Sequence, residues 1–222
     1  MDAKKIAAER AAAYVTDNMV VGLGTGSTVF HSIHKLGEMV KQGLQIRTVS
    51  SSVESEQIAR ELNIPSVDFS DITAIDLYID GADEVDENHN LIKGGGGALL
   101  REKIIAFNSR RYIVVADESK LVSSLGKFPL PVEVVGFGLS LTLNRIRELG
   151  AEVVVRKKGG KDFITDNGNL TADCRFITIA DPEQLNQRLH AIPGVVETGI
   201  FLKELVSQVV VGYVDGTVQV LE

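Results

Sequence analysis

Four successive glycines, Gly94–Gly97, stand between the apolar pair Leu91-Ile92 with its following Lys93 and the helical pattern of Ala98, Leu99, Ile105 and Ala106. A chain that keeps backbone N–H groups bare for a ligand must adopt dihedral angles that side chains disfavour, and it does so at a cost in conformational entropy. A run of this length at a strand-to-helix junction therefore points to a site rather than to a spacer. Upstream, Leu77-Tyr78-Ile79 reads as the end of a buried strand, so Asp80 and Asp83 of Asp80-Gly-Ala-Asp83-Glu84 are expected at a carboxyl-terminal strand edge, where open α/β sheets hold their ligands. Glu84 and Asp86 read instead as solvated residues of the polar stretch Asp86–Asn90.

Glu102 is the sharper candidate. On a helix beginning near Gly97 its neighbours three and four residues away are apolar, while Arg101 and Lys103 flank it, so its carboxylate faces inward. An inward ionised group is costly unless paired or used, and burial raises its proton affinity toward the range of a general base. The alternative is an inward salt bridge to Lys93 or Lys120.

A second glycine cluster, Gly22-Leu-Gly24-Thr25-Gly26-Ser27-Thr28, leads from an apolar strand into a helix marked by Val29, Ile33, Leu36 and Val40. Strand, glycine turn and helix amino terminus form a phosphate-binding geometry, with hydroxyls added by Thr25, Ser27 and Thr28. No Gly-Lys-Ser/Thr follows, Ser27 replaces the third glycine of a dinucleotide fingerprint, and the next strand ends in Ser50-Ser51-Ser52 with no acid for a ribose. A nicotinamide cofactor is not expected.

The alternation continues along the chain. Helices are predicted at 3–16, 27–42 and 53–62, the last with a Ser51-x-x-Glu54 capping box, and strands at 19–22, 45–49, 75–79 and 111–116. This is the βαβ grammar of a parallel sheet covered on both faces. After Pro129-Leu-Pro131 it changes to strand 132–135, helix 140–149, strands 152–156, 162–165, 170–174 and 176–179, and a helix from Pro182 to about 191, a small α+β unit. Gln208–Leu221 reads as a hairpin about Asp215-Gly216.

A net charge of −7 argues against a nucleic-acid partner, and Arg156-Lys157-Lys158-Gly-Gly-Lys161 reads as a solvated hairpin tip. No stretch approaches the ~20 apolar residues of a membrane span, and Asp2-Ala-Lys-Lys-Ile lacks the apolar run of a secretory signal, so a cytoplasmic location is expected. The single cysteine, Cys174, reads as a small buried side chain. His31 and His34 lack partners at metal-ligand spacing, and no metal is expected.

The motifs Gly24–Thr28, Ser50–Ser52, Asp80–Glu84, Lys93–Gly96, Arg101–Lys103, Ala116–Lys120, Gly126–Glu133, Thr165–Asn169 and Ala191–Val196 resemble, in this order, those of ribose-5-phosphate isomerases of the A type. Gly97 departs from the alanine expected there in many members. The resemblance implies a Rossmann-like parallel-sheet α/β domain of residues 1–126 plus 200–222, and an inserted α+β, ferredoxin-like domain of 127–199. It also implies interconversion of ribose 5-phosphate and ribulose 5-phosphate through an enediolate, in the pentose phosphate pathway, without a cofactor and in a homodimer. By that resemblance Glu102, Asp80, Asp83 and Lys93 are catalytic, and the sugar phosphate meets Thr25, Gly26, Ser27, Thr28, Asp80, Gly81, Ala82, Asp83, Lys93, Gly94, Gly95, Gly96 and Lys120. Coenzyme A transferases and sugar-phosphate sensor domains share this style of domain. The first would form a thioester at Glu102, and the second would need a DNA-binding module absent from an acidic chain.

Overall fold

The computed structural model describes residues 2–222. In chain order its elements are α1 (Ala3–Ala12), β1 (Val20–Leu23), α2 (Ser27–Lys41), β2 (Arg47–Ser50), α3 (Val53–Glu61), β3 (Leu77–Gly81), β4 (Glu84–Val85), β5 (Leu91–Ile92), α4 (Leu99–Phe107) and β6 (Tyr112–Asp117). There follow β7 (Leu130–Val134), α5 (Leu139–Arg147), β8 (Glu152–Val155), β9 (Lys157–Lys158), β10 (Lys161–Asp162), β11 (Leu170–Arg175), α6 (Pro182–His190), β12 (Val195–Thr198), β13 (Ile200–Phe201), β14 (Gln208–Gly212) and β15 (Val218–Leu221). They fall into two compact units, one of residues 1–82, 101–120 and 204–222, the other of 83–100 and 121–203.

The first unit is built on a six-stranded sheet in the order β15-β14-β6-β3-β1-β2, parallel except for the β14–β15 hairpin. Its inner strands are continuous apolar runs because helices cover both faces, and Val21, Leu23, Leu77, Ile79, Ile113, Val115 and Val210 share one core with Val29, Ile33 and Leu36 of α2. Parallel pairing brings every carboxyl end to one edge. The Gly24–Gly26 turn after β1, Ser50–Ser52 after β2, Asp80–Ala82 at the end of β3 and Asp117–Lys120 after β6 therefore share that edge.

The second unit contains a four-stranded antiparallel sheet in the order β12-β7-β11-β8, traversed as β7, α5, β8, β11, α6, β12. That βαββαβ path is the ferredoxin-like arrangement. Leu130, Val132, Val134, Ala172 and Cys174 turn one sheet face toward Leu143 and Ile146 of α5 and Leu189 of α6. Burial drives the Cys174 thiol up to about 12, so it stays protonated.

Several boundaries differ from expectation for identifiable reasons. Residues 83–100, 121–126 and 200–203 group with the second unit rather than with 1–126 plus 200–222, because β4 and β5 form a three-stranded sheet with β13. The cap of α3 is Ser52, which accepts from the Ser55 N–H at 3.1 Å, in place of a Ser51/Glu54 box. Residues 176–179 form no strand; only Ile179 bridges to Leu125. Glu84 is 3 % exposed rather than solvated, accepting from the Gly126 and Phe128 N–H groups at 2.8 and 2.5 Å, and Asp86 is also buried, bonded to the N–H groups of Asn88 and Asn90. Among the described residues no helix is long and apolar enough to cross a membrane.

Candidate active site

In the first unit the site grows from the end of β3. Asp80 is fully buried. Its Oδ1 accepts the N–H groups of Thr25 at 3.1 Å and Gly81 at 2.7 Å, and its Oδ2 accepts the hydroxyl of Tyr78. The Tyr78 phenol is pushed well above its ordinary value, by burial first and then by the charges of Asp80 and Glu102, so it remains a donor. The carboxylate thereby ties the β1 glycine turn to the end of β3.

The turn is held from its other side by serines. Thr25 Oγ1 lies 2.8 Å from the hydroxyls of both Ser51 and Ser52, and Ser55 Oγ donates to the Gly24 carbonyl at 2.6 Å. Gly26, the cap of α2, has φ 110° and no side chain to bond the first helical N–H groups, which suits that helix end to an anion. Ser27 is exposed at the first helical position and Thr28 is buried behind it. A pocket of about 410 Å3 beside them is lined by Gly26, Ser27, Phe30, His31, Glu54 and Ser55, among others.

Sequence reasoning missed Lys4. Its Nζ reaches Ser27 Oγ at 3.1 Å from the first turn of α1, whose cap Asp2 accepts the Lys4 N–H. The signal was present only as a lysine before an alanine-rich helix, with nothing to aim it at a turn 23 residues away. Glu102 lies on α4 and is 3 % exposed, as its place in the apolar stripe requires. Gly81 and Ala82 close β3, partly exposed, and Lys120 is partly exposed on the short 3-10 turn after β6.

In the second unit Lys93 is 2 % exposed, with its ammonium 5.5 Å from the centre of the Phe201 ring and its backbone N–H on the Gly199 carbonyl at 2.9 Å. The glycines after it form a closed turn, since the Gly97 N–H donates to the Gly94 carbonyl at 2.9 Å. Gly94 sits at φ 95°, and a Cβ there would fall 2.8 Å from Leu99 Cδ2, so neither its dihedral nor its space admits a side chain. Asp83 Oδ2 accepts the Gly95 N–H at 2.7 Å, so that donor is already engaged.

The expected solvated tip 156–161 requires a correction at its first residue. Lys157, Lys158 and Lys161 are exposed, but the Arg156 side chain is only 15 % exposed and its guanidinium donates to the Gly94 and Gly95 carbonyls at 2.8 and 3.1 Å. A cavity of about 600 Å3 lined by Val135, Phe137, Leu141 and Pro193, among others, contains none of the candidates. Among the described residues no three or more His, Cys, Asp or Glu side chains converge to hold a metal ion.

The first unit thus carries a buried carboxylate on α4 and a hydroxyl-lined helix amino terminus, and the second a buried lysine followed by a glycine turn. The family model of ribose 5-phosphate isomerase A (phosphoriboisomerase A) matches residues 47–216. The chain belongs to the ribose 5-phosphate isomerase A family. Among its relatives, the ribose-5-phosphate isomerase A of Bacillus mycoides is 50% identical over 217 residues, 97% of this chain and 98% of that one. That of Listeria innocua is 48% identical over 220 residues, 99% of this chain and 98% of that one. A D-ribose-5-phosphate isomerase solved in complex with phospho-erythronic acid matches with a TM-score of 0.95 at 42% identity, over 100% of both chains. The ribose 5-phosphate isomerase A of Methanocaldococcus jannaschii matches at 0.93 and 41%, over 99% of this chain and 97% of that one. These likenesses cover both units of the isomerase fold.

Proposed function

We propose that this member of the family interconverts D-ribose 5-phosphate and D-ribulose 5-phosphate through an enediolate, with Glu102 as the base. The observation that carries the assignment of the base is the 3 % exposure of that carboxylate on the helix following the glycine turn. In this reading the buried carboxylate takes a proton from carbon 2 and returns it to carbon 1, the work of a positioned general base.

As the proton leaves, negative charge develops on the former carbonyl oxygen. Lys93 and the N–H groups of the turn at Gly94 and Gly96 stabilise it in this reading, since the Gly95 N–H serves Asp83. Asp83 takes the sugar hydroxyls and assists ring opening. Asp80, buried among three donors, acts with Gly81 and Ala82 by fixing the edge on which the sugar rests. Thr25, Gly26, Ser27 and Thr28 receive the phosphate together with Lys4, and Lys120 adds a further cation. The reading needs neither cofactor nor metal and places the enzyme in the cytoplasm as a homodimer.

The test is ketose formation from ribose 5-phosphate by purified enzyme in excess chelator, with sedimentation measured on the same sample. Turnover that survives chelation is the expected result. Loss of activity in EDTA, restored by a divalent cation, would overturn the metal-free chemistry, and a single species at monomer mass would overturn the dimer.

A further inference from the structure

The Arg156 guanidinium is held by Asp173, through Nε to Oδ2 at 3.0 Å and Nη2 to Oδ1, and lies 6.0 Å from the centre of the Phe163 ring. Bidentate pairing fixes the plane of the fork, leaving Nη1 aimed at the carbonyls of Gly94 and Gly95. We propose that Arg156 is a positioning residue for the isomerisation, setting two peptide planes of the glycine turn so that the Gly95 N–H meets Asp83 and the Gly96 N–H faces the developing oxyanion.

No peptide bond among the described residues is cis. In a trans peptide the C=O of one residue and the N–H of the next point to opposite sides. Holding the Gly94 carbonyl therefore turns the Gly95 N–H away from Arg156, and that N–H is found on Asp83 Oδ2 at 2.7 Å. Holding the Gly95 carbonyl turns the Gly96 N–H away from Arg156 by the same rule. Glycines do not choose these orientations themselves, because their backbones are the least restricted of any residue. A cation bonded to the carbonyl end of a peptide also polarises it, making its N–H a stronger donor. Arg156 thus acts through the backbone without touching substrate.

The inference rests on reading the Lys93–Gly96 segment as the oxyanion-stabilising element, and the test separates the two. Arg156→Ala should lower kcat by about tenfold, less than the loss of a direct oxyanion donor, while KM changes by less than about threefold. Inhibition by phospho-erythronic acid, whose planar carboxylate presents two oxygens as the enediolate does, should weaken by about the factor lost in kcat. Guanidinium ion added at non-denaturing concentration should restore part of the turnover of Arg156→Ala. Arg156→Lys should stay impaired, because an ammonium cannot grip Asp173 and two carbonyls in one plane. Should Arg156→Ala fold poorly because Asp173 is left unpaired, the double variant Arg156→Met/Asp173→Asn removes that charge and should show the same loss in kcat.

Parent-like kcat in folded Arg156→Ala or in the double variant would overturn the proposal. So would a loss of kcat with unchanged inhibition by phospho-erythronic acid. Lys93→Met is the control for the underlying reading. If it keeps parent kcat, the oxyanion assignment fails and the inference with it; if it loses activity while Arg156→Ala does not, the inference fails alone.

Discussion

Tyr78 donates its hydroxyl to Asp80, two residues further along the same strand, and both side chains are completely buried. Residues two apart on a strand share a face, so β3 carries its own donor for the carboxylate that ends it. Stacking on Tyr112, with ring centres 4.9 Å apart, fixes the phenol in place.

Tyr78→Phe removes from Asp80 the buried hydroxyl donor to its Oδ2. Stability should fall by about 1–3 kcal/mol, the range for a buried polar group that loses its partner. Because the folded-state pKa of Tyr78 lies well above the ordinary 10, its contribution is complete below pH 10 and lost as pH rises beyond it. Urea unfolding at neutral and at alkaline pH checks both parts. The variant should be weaker at neutral pH and should lose less stability above pH 10 than the parent; equal alkaline slopes would contradict the account.

Gly97→Ala tests the glycine that departs from the expected pattern. Gly97 has φ 84°, and a Cβ there would lie 2.3 Å from Phe163 Cε1. The left-handed backbone alone costs an alanine about 1–2 kcal/mol, and the ring must also move. Destabilisation of at least that size is expected in thermal or urea unfolding. Adding Phe163→Leu should recover the steric part and leave the backbone part. A neutral Gly97→Ala would show that the turn can change its dihedrals freely.

Much of this organisation was legible from local pattern, and the failures share a cause. β1, β3, β6 and the inward face of α4 announce themselves because each is an uninterrupted apolar run or stripe, and the glycine turns because few residues tolerate their geometry. Glu84 and Arg156 were misread because their sequence neighbours, Asp86–Asn90 and Lys157–Lys161, are polar. Glu84 is buried by N–H groups 42 and 44 residues away, and Arg156 by an aspartate 17 residues on and carbonyls about 60 residues back. Two-residue strands such as β4 and β5 carry too little periodicity to be seen, so the boundary they set near residue 83 was invisible as well. Lys4 belongs with these: its partner is fixed by packing, not by spacing.

Lys4→Met tests the phosphate end. With Nζ 3.1 Å from Ser27 Oγ, the lysine can place its charge against an anion seated on the α2 amino terminus. A charge-assisted hydrogen bond is worth about 1.5–3 kcal/mol, so kcat/KM for ribose 5-phosphate should fall at least about tenfold. Free ribose, which has nothing for Lys4 to hold, should be a very poor substrate for both proteins and equally so. A similar proportional loss for both sugars would place Lys4 in the scaffold rather than in phosphate binding.

Glu102→Gln is the test of the base. The substitution keeps the size of the side chain and much of its hydrogen bonding but removes the proton acceptor, so the fold and the affinity for substrate should be retained. Turnover should fall by at least ~10²-fold, the lower end of what a positioned general base contributes. Exchange is the more direct measurement, because abstraction of the carbon-2 hydrogen of ribose 5-phosphate must precede both net conversion and return to starting material. In deuterium oxide the parent should wash that hydrogen out of the substrate, while the variant should leave it in place over the same interval. Exchange by the variant at the parent rate would remove Glu102 from the role, and Asp83, partly exposed beside the glycine turn, would be the next carboxylate to examine.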